Sequence, residues 1–254
     1  MIDDYLDFAT QLARDAGKLI YDGFNHHHIV ETKDDNGHTS PVTEVDKNIN
    51  QLVIRRIKNK YPDHGLLGEE ANFGNGNERN RWICDPLDGT QPYIQGEPNS
   101  CFMIALMQDN KLLLSVVFDP FSDCLYHAVH NKGAYCNGKP IHVNSSELSG
   151  GIVLLGSTSV PFIDKIKNEG GKVETVSGGG YKYMQIACGK AVGHIRVGSD
   201  FHDIAPGSLI IDEAGGKVTA LNGSKLVYDK KISGVIMSNG IVHNKLVEIA
   251  QACN

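Results

Sequence analysis

Apolar residues recur with a helical period at the start of the chain. Ile2, Tyr5, Leu6, Phe8, Ala9, Leu12, Ala13, Ala16, Leu19, Ile20 and Phe24 fall near a 3.6-residue spacing. That pattern predicts an amphipathic helix over 2–24, with Gly23 and Asn25 marking its end. A second helical stripe, Val45, Ile49, Leu52, Val53 and Ile57, predicts a helix over about 44–60, with Thr43 as its N-cap. The stretch between them, 31–38, is polar and contains Gly37, so it reads as a loop.

Beyond residue 60 the apolar runs shorten. Segments 66–70, 82–84, 102–107, 111–118 and 125–129 read as strands, the first ending in two acids and the second buried. Residues 71–80 have the composition of a surface loop. Asp109-Asn110, Asn131-Lys132-Gly133 and Cys136-Asn137-Gly138-Lys139 carry turn chemistry. The first part of the chain is therefore two helices followed by a mostly antiparallel sheet. A Ser/Gly-rich connector at 144–151 marks a change, dividing the chain into halves 1–144 and 145–254. In the second half, expected strands (152–156, 172–176, 191–197, 217–219, 226–228 and 234–238) alternate with expected helices (160–169, 181–188, 203–214 and 239–252). The class is layered α/β, without an internal repeat.

Composition narrows the partners. The chain has 254 residues, 41% hydrophobic and 21% charged, with a net charge of -6 and a pI near 6.0. That balance speaks against a nucleic-acid partner, which favours a basic stripe. No apolar run approaches the roughly 18 residues that span a bilayer, and the acidic N-terminus is unlike a signal peptide. Six cysteines without a C-x-x-C pair read as reduced thiols of a cytoplasmic protein.

The candidate chemistry centres on Asp85-Pro86-Leu87-Asp88-Gly89-Thr90. Two carboxylates three residues apart, on a turn stiffened by Pro86, repel each other unless a proton or a cation lies between them. Gly89 and Thr90 follow with backbone N–H groups that suit an anion. Metal cation plus phosphate is the first reading. Other acids stand at element ends. Glu69 closes a strand. Asp46 lies in the first turn of the second helix, and Asp203 opens a helix of the second half. Spacing alone leaves Asp46 and Asp203 open between helix-capping and functional roles. Ser177-Gly178-Gly179-Gly180 precedes a helix and suits either a phosphate cradle or a plain loop. His26-His27-His28 reads as a connector, because consecutive residues do not face one site.

Three blocks then carry a resemblance: Leu67-Gly68-Glu69-Glu70, Trp82 to Thr90, and Asp203-Ile204-Ala205 with Glu213-Ala214-Gly215-Gly216. In that order the chain resembles the inositol monophosphatase superfamily of Mg-dependent, lithium-sensitive phosphomonoesterases. The resemblance implies an alternating αβαβα sandwich, a metal site between the two halves, and a homodimer. It implies that Glu69, Asp85 and the Leu87 carbonyl hold one Mg²⁺, that Asp85, Asp88 and Asp203 hold a second, and that a third, weaker ion shares Glu69. Asp46, Glu69 and Thr90 would orient or activate the attacking water. Asp88, Gly89, Thr90, Arg196 and Asp203 would meet the phosphate or the substrate. The implied partner is a small phosphate ester, inositol monophosphate or a related sugar phosphate.

Departures bear on the substrate. His202 stands where the family usually has Trp, and Arg196 stands where it often has an acid. Arg196 suits a second anionic group or pairs with a surface acid; both readings are open. Gln91-Pro92-Tyr93-Ile94-Gln95-Gly96, Tyr181-Lys182-Tyr183 and Lys33 are more similar to the histidinol-phosphate phosphatase branch. A branch that cleaves 3′-phosphates from adenosine bisphosphates, and a catalytically silent metal-binding protein, are the remaining alternatives.

Overall fold

The computed structural model describes residues 1–24, 26, 30–35, 38–75, 78–228 and 232–253, with backbone alone at 33–35, 38, 39, 157, 158 and 199. Both expected N-terminal helices form. Helix α1, Ile2–Gly23, buries Tyr5, Phe8, Leu12, Ala16 and Ile20 along one stripe. Helix α2, Glu44–Lys60, starts in a capping box in which Thr43 and Asp46 satisfy each other's backbone N–H groups.

The segment expected as a loop at 31–38 is instead a hairpin, strands β1 (Val30–Asp35) and β2 (His38–Thr43), paired antiparallel from Val30↔Thr43. Val30, Glu31 and Thr32 are exposed. A strand segment whose side chains face solvent needs no apolar alternation, which is why polarity alone misreads it.

Seven strands form the first large sheet: β3 (Gly65–Gly68), β4 (Asn80–Asp88), β5 (Cys101–Gln108), β6 (Lys111–Asp119), β7 (Cys124–Val129), β8 (Ala134–Cys136) and β9 (Lys139–Ile141), in sequence order. Only β3 and β4 run parallel within it; the other pairs are antiparallel. Alternation sorts its side chains cleanly. Trp82, Cys84, Phe102, Ile104 and Leu106 pack with α1 and α2, whereas Ile83, Met103, Ala105 and Met107 join a second core on the opposite face.

The second sheet holds β10 (Ile152–Leu155), β11 (Lys172–Thr175), β12 (Gly193–Ser199), β13 (Lys217–Ala220) and β14 (Ile232–Ser238), in the order β11-β10-β12-β14-β13. Between the sheets lie α5 (Gly179–Ala187) and α6 (Phe201–Glu213), whose apolar residues share the second core. Helices α4 (Ile163–Asn168) and α7 (His243–Gln251) cover the outer face through Ile166, Leu246 and Ile249. The order helix, sheet, helix, sheet, helix is the expected sandwich. Small α3, Thr90–Ile94, follows β4.

Several boundaries differ from the sequence reading. Pro161 sits in a 3₁₀ helix, Ser157–Phe162, ahead of α4, because a proline favours a first turn and cannot donate within one. Helix α5 begins two residues early, since Gly179 and Gly180 find an acceptor described below. Residues 226–228 form no strand: Leu226 is buried by packing without a paired neighbour strand. His26 is exposed, and His27 and His28 lie outside the described residues. Among the described residues no helix is long and apolar enough to cross a membrane.

Candidate active site

The site is built around an irregularity in β4. Asp85 pairs with Met103 and Asp88 with Cys101, so three steps on β4 oppose two on β5. This is a β-bulge, where one extra residue bends the strand and re-aims its side chains. The expected rigid turn is thus a bulge within the strand. Pro86, which has no N–H for a ladder, occupies it. The Leu87 N–H donates to Asp85 Oδ1 at 3.0 Å, and the Leu87 carbonyl accepts from Thr90 Oγ1 at 3.0 Å. Gly89 then turns the chain with φ 85°, and a Cβ there would lie 2.9 Å from the Asn99 carbonyl oxygen. Only glycine fits both demands.

Glu69 reaches the same point from the neighbouring strand. β3 and β4 are parallel, Gly68 lies beside Cys84, and the Glu69 N–H donates to the Cys84 carbonyl at 3.1 Å. Glu69 and Asp85 therefore leave two adjacent carboxyl ends together, with their carboxyl groups in hydrogen-bond contact. Asp46 arrives from α2. Its Oδ2 accepts from the Thr43 N–H at 2.8 Å, and its Oδ1 accepts from Thr90 Oγ1 at 3.1 Å. Thr90 has one hydroxyl proton for two acceptors, Asp46 and the Leu87 carbonyl, so its oxygen keeps lone pairs for an incoming donor. Asp46 is buried behind Thr90 rather than on the cavity wall.

The second half contributes from across the gap. Asp88 accepts from the N–H groups of Gly179 at 3.0 Å and Gly180 at 2.8 Å. The glycine run before α5 thus gives two amides to a carboxylate of the first half. Asp203, in the first turn of α6, accepts from Arg196 Nη2 at 2.9 Å, and His202 Nε2 stands 3.8 Å from its other oxygen. Of the two readings left open for Arg196, the acid it meets is this one and not a surface residue.

These acids are costly neighbours. Asp85 and Asp88 are 2% and 5% exposed. Burial first, then the charges of Glu69, Asp88 and Asp203, push the Asp85 carboxyl well above the ordinary range. Burial and then Asp203 raise Asp88, against the pull of the Gly180 N–H, Lys182 and Arg196. Burial also raises Asp46, opposed by Thr43. Such a set is stable when ionised only with cations beside it. Among the described residues no three His, Cys, Asp or Glu side chains are grouped so that they could hold a metal ion as they stand. The donor set nonetheless fits hard divalent cations. It is all oxygen, and each carboxylate keeps lone pairs beyond the bonds it already accepts. The Leu87 carbonyl adds a neutral oxygen, turned out of the ladder by the bulge.

A cavity of about 430 Å³ opens over this set. Glu69, Asp85, Leu87, Asp88, Gly89, Thr90, Arg196 and Asp203 all line it, so the structure brings together every predicted site residue except Asp46, which supports Thr90 from behind. Among the further lining residues, Lys182 on α5 and His194 on β12 are titratable and were not picked out as site residues from the sequence. His194 was legible only as the residue two before Arg196, hence on the same strand face.

Comparison with known proteins agrees with this geometry. The family model described as the inositol monophosphatase family matches residues 1–254. Inositol monophosphatase 3 of Solanum lycopersicum is 33% identical over 245 residues, 88% of each chain. A histidinol-phosphatase of Chlorobaculum parvum is 33% identical over 252 residues, 95% of each chain. Among solved structures, an IMPase of Thermotoga maritima superposes with a TM-score of 0.89 at 26% identity, covering 98% of both chains.

Proposed function

This chain belongs to the inositol monophosphatase family of phosphomonoesterases, and we propose that it hydrolyses a small-molecule phosphate monoester, inositol monophosphate or a related sugar phosphate, in an Mg²⁺-dependent reaction that releases inorganic phosphate. The observation that carries this reading is the convergence of Glu69, Asp85, Asp88 and Asp203 on one cavity, with Asp85 raised by burial and by the other three. Glu69, Asp85 and the Leu87 carbonyl would hold one ion, Asp85, Asp88 and Asp203 a second, and Glu69 would share a third. Bound Mg²⁺ supplies charge neutralisation of the phosphoryl oxygens and a more acidic water.

The remaining roles belong to the chain. Thr90, fixed by Asp46 and the Leu87 carbonyl, presents its oxygen to the attacking water, and Glu69 takes part in drawing off the proton. The backbone at Gly89 and Thr90 faces the phosphate. Residues 1–144 supply Asp46, Glu69, Asp85, Asp88 and Thr90, residues 145–254 supply Asp203 and Arg196, and the reaction is placed between these halves. A homodimer follows from the family resemblance. The free cysteines accord with the cytoplasm.

Histidinol phosphate is a second reading, supported by the Chlorobaculum relative. Phosphate release from inositol, sugar, histidinol and adenosine phosphates, with Mg²⁺, with EDTA and with added Li⁺, tests both. Release that requires Mg²⁺ and is inhibited by Li⁺ is expected. Equal release in EDTA, or none from any ester at saturating Mg²⁺, overturns the reading.

A further inference from the structure

Toward the β9 edge of the first sheet, three of the six cysteines meet at one tyrosine, and none of the three lines the cavity. Tyr126 on β7 pairs with Cys136 on β8. Paired side chains share a face, and Cys124 lies two residues before Tyr126 on the same strand, so all three point to one side of the sheet. Cys188, which caps α5, packs on that side, against the same core as Cys124 and Cys136. The Tyr126 hydroxyl is in hydrogen-bond contact with Cys124, Cys136 and Cys188, and the Cys124 and Cys136 side chains are in contact with each other. All three thiols are partly exposed, whereas Cys84 and Cys101 are buried.

These sulfurs are held loosely. A phenol hydroxyl has one proton, and a thiol is a weak donor and a weak acceptor, so one tyrosine does not tie down three of them. Burial, and then the charge of neighbouring Cys124, push the Cys136 thiol up to about 12, and burial likewise raises Cys188. Thiols kept protonated react slowly, but a disulfide between sulfurs whose thiolates are disfavoured is correspondingly hard to reduce. We propose that Cys124 and Cys136 form a site of reversible oxidation, at which a small disulfide of the glutathione type links them across β7 and β8. Two S–H bonds break and one S–S bond forms between the chain's sulfurs. The two electrons and two protons pass to the small disulfide, whose own S–S bond breaks to give two thiols. Diagonal neighbours across a sheet stand wider apart than directly opposed ones, so closure draws on the end of β8. That end is short and peripheral: β8 and β9 have three residues each, and the turn between them leaves Gly138 exposed. Cys188 stays a free thiol beside the bond. The site is independent of the hydrolase reading.

Peptide mapping tests this. Lys132 separates Cys124 from Cys136 in the chain, and Lys182 and Lys190 bracket Cys188, so trypsin leaves the three on different peptides. The native full chain is equilibrated with glutathione disulfide, its remaining thiols are alkylated in denaturant, and the unreduced digest is analysed by mass. The linked Cys124–Cys136 peptide pair is expected to exceed every other cysteine pair by about tenfold or more, with Cys84, Cys101 and Cys188 recovered as alkylated thiols. Dithiothreitol should return the pair to two separate peptides. Cys124→Ser should abolish the link, and Cys253→Ser should leave it unchanged. The wild-type map stands even if Cys124→Ser folds poorly. An excess of any other pair, stable glutathione adducts on Cys124 and Cys136 in place of the link, or no loss of free thiol in a buffer that oxidises the urea-unfolded chain overturns the proposal.

Discussion

Asp85→Asn separates the chemistry of the site from the stability of the fold, because the two are expected to move in opposite directions. Asn has the shape of Asp and keeps an oxygen for the Leu87 N–H now 3.0 Å from Asp85 Oδ1, so the bulge should survive. What disappears is a charge at a position 2% exposed and crowded by Glu69, Asp88 and Asp203. A carboxyl raised in the folded state favours folding while it is protonated, and that contribution is lost as pH rises above the unfolded value near 3.8. Metal-free wild type should therefore weaken from about pH 4 toward pH 8, and Asp85→Asn should weaken less. Removing an uncompensated buried charge corresponds to about 1–3 kcal/mol, or about 2–4 °C in Tm per kcal/mol. In Mg²⁺ the order reverses: wild type gains stability by ligand binding and the variant, short of a shared ligand, gains little. Turnover should fall by about 10³-fold or more, on the scale of a lost transition-state charge contact. Thermal unfolding at pH 4 to 8 in EDTA and in Mg²⁺, beside phosphate release, measures both. Asp109→Asn is the control, a turn acid at φ 49° whose carboxylate pairs with exposed Arg79. Wild-type turnover in purified Asp85→Asn at saturating Mg²⁺, or an apo variant less stable than wild type at pH 8, refutes the argument.

Three further outcomes follow from single contacts. Gly89→Ala should destabilise the fold by about 1–3 kcal/mol in urea titration, since φ 85° and the Asn99 carbonyl both oppose a Cβ. Thr90→Val, which loses the hydroxyl on Asp46 and the Leu87 carbonyl, should lower kcat by about 100-fold with little change in KM, and Thr90→Ser should recover most of it. His243, buried between Ser238 and Thr219, is pushed down to about 4 by burial. Its neutral form favours folding, so stability should fall as pH drops from about 6.5 toward 4, and His243→Gln should flatten that part of the urea-midpoint profile.

The chain's own pattern determined a good deal. The 3.6-residue stripes of α1 and α2 and the short apolar runs of β4 to β7 follow from local burial, and so were legible. The acids Glu69, Asp85, Asp88 and Asp203 announced themselves as carboxylates at element ends. What one dimension cannot carry is which ends coincide. The parallel pairing of β3 with β4 sets Glu69 beside Asp85. The bulge at Pro86 turns Asp85, the Leu87 carbonyl and Asp88 toward one cavity. The packing of α5 and α6 between two sheets brings Gly179, Gly180 and Asp203 to the same place. Strand β1 escaped notice because its described side chains, Val30, Glu31 and Thr32, are exposed and carry no apolar alternation. Lys182 and His194 escaped because a lysine on a helix and a histidine on a strand look ordinary until tertiary packing buries them together. Local sequence sets which residues are apolar, charged or able to turn. Long-range contacts, such as the Asp88–Gly180 bond whose partners lie 92 residues apart, decide which of those charges must share one cavity.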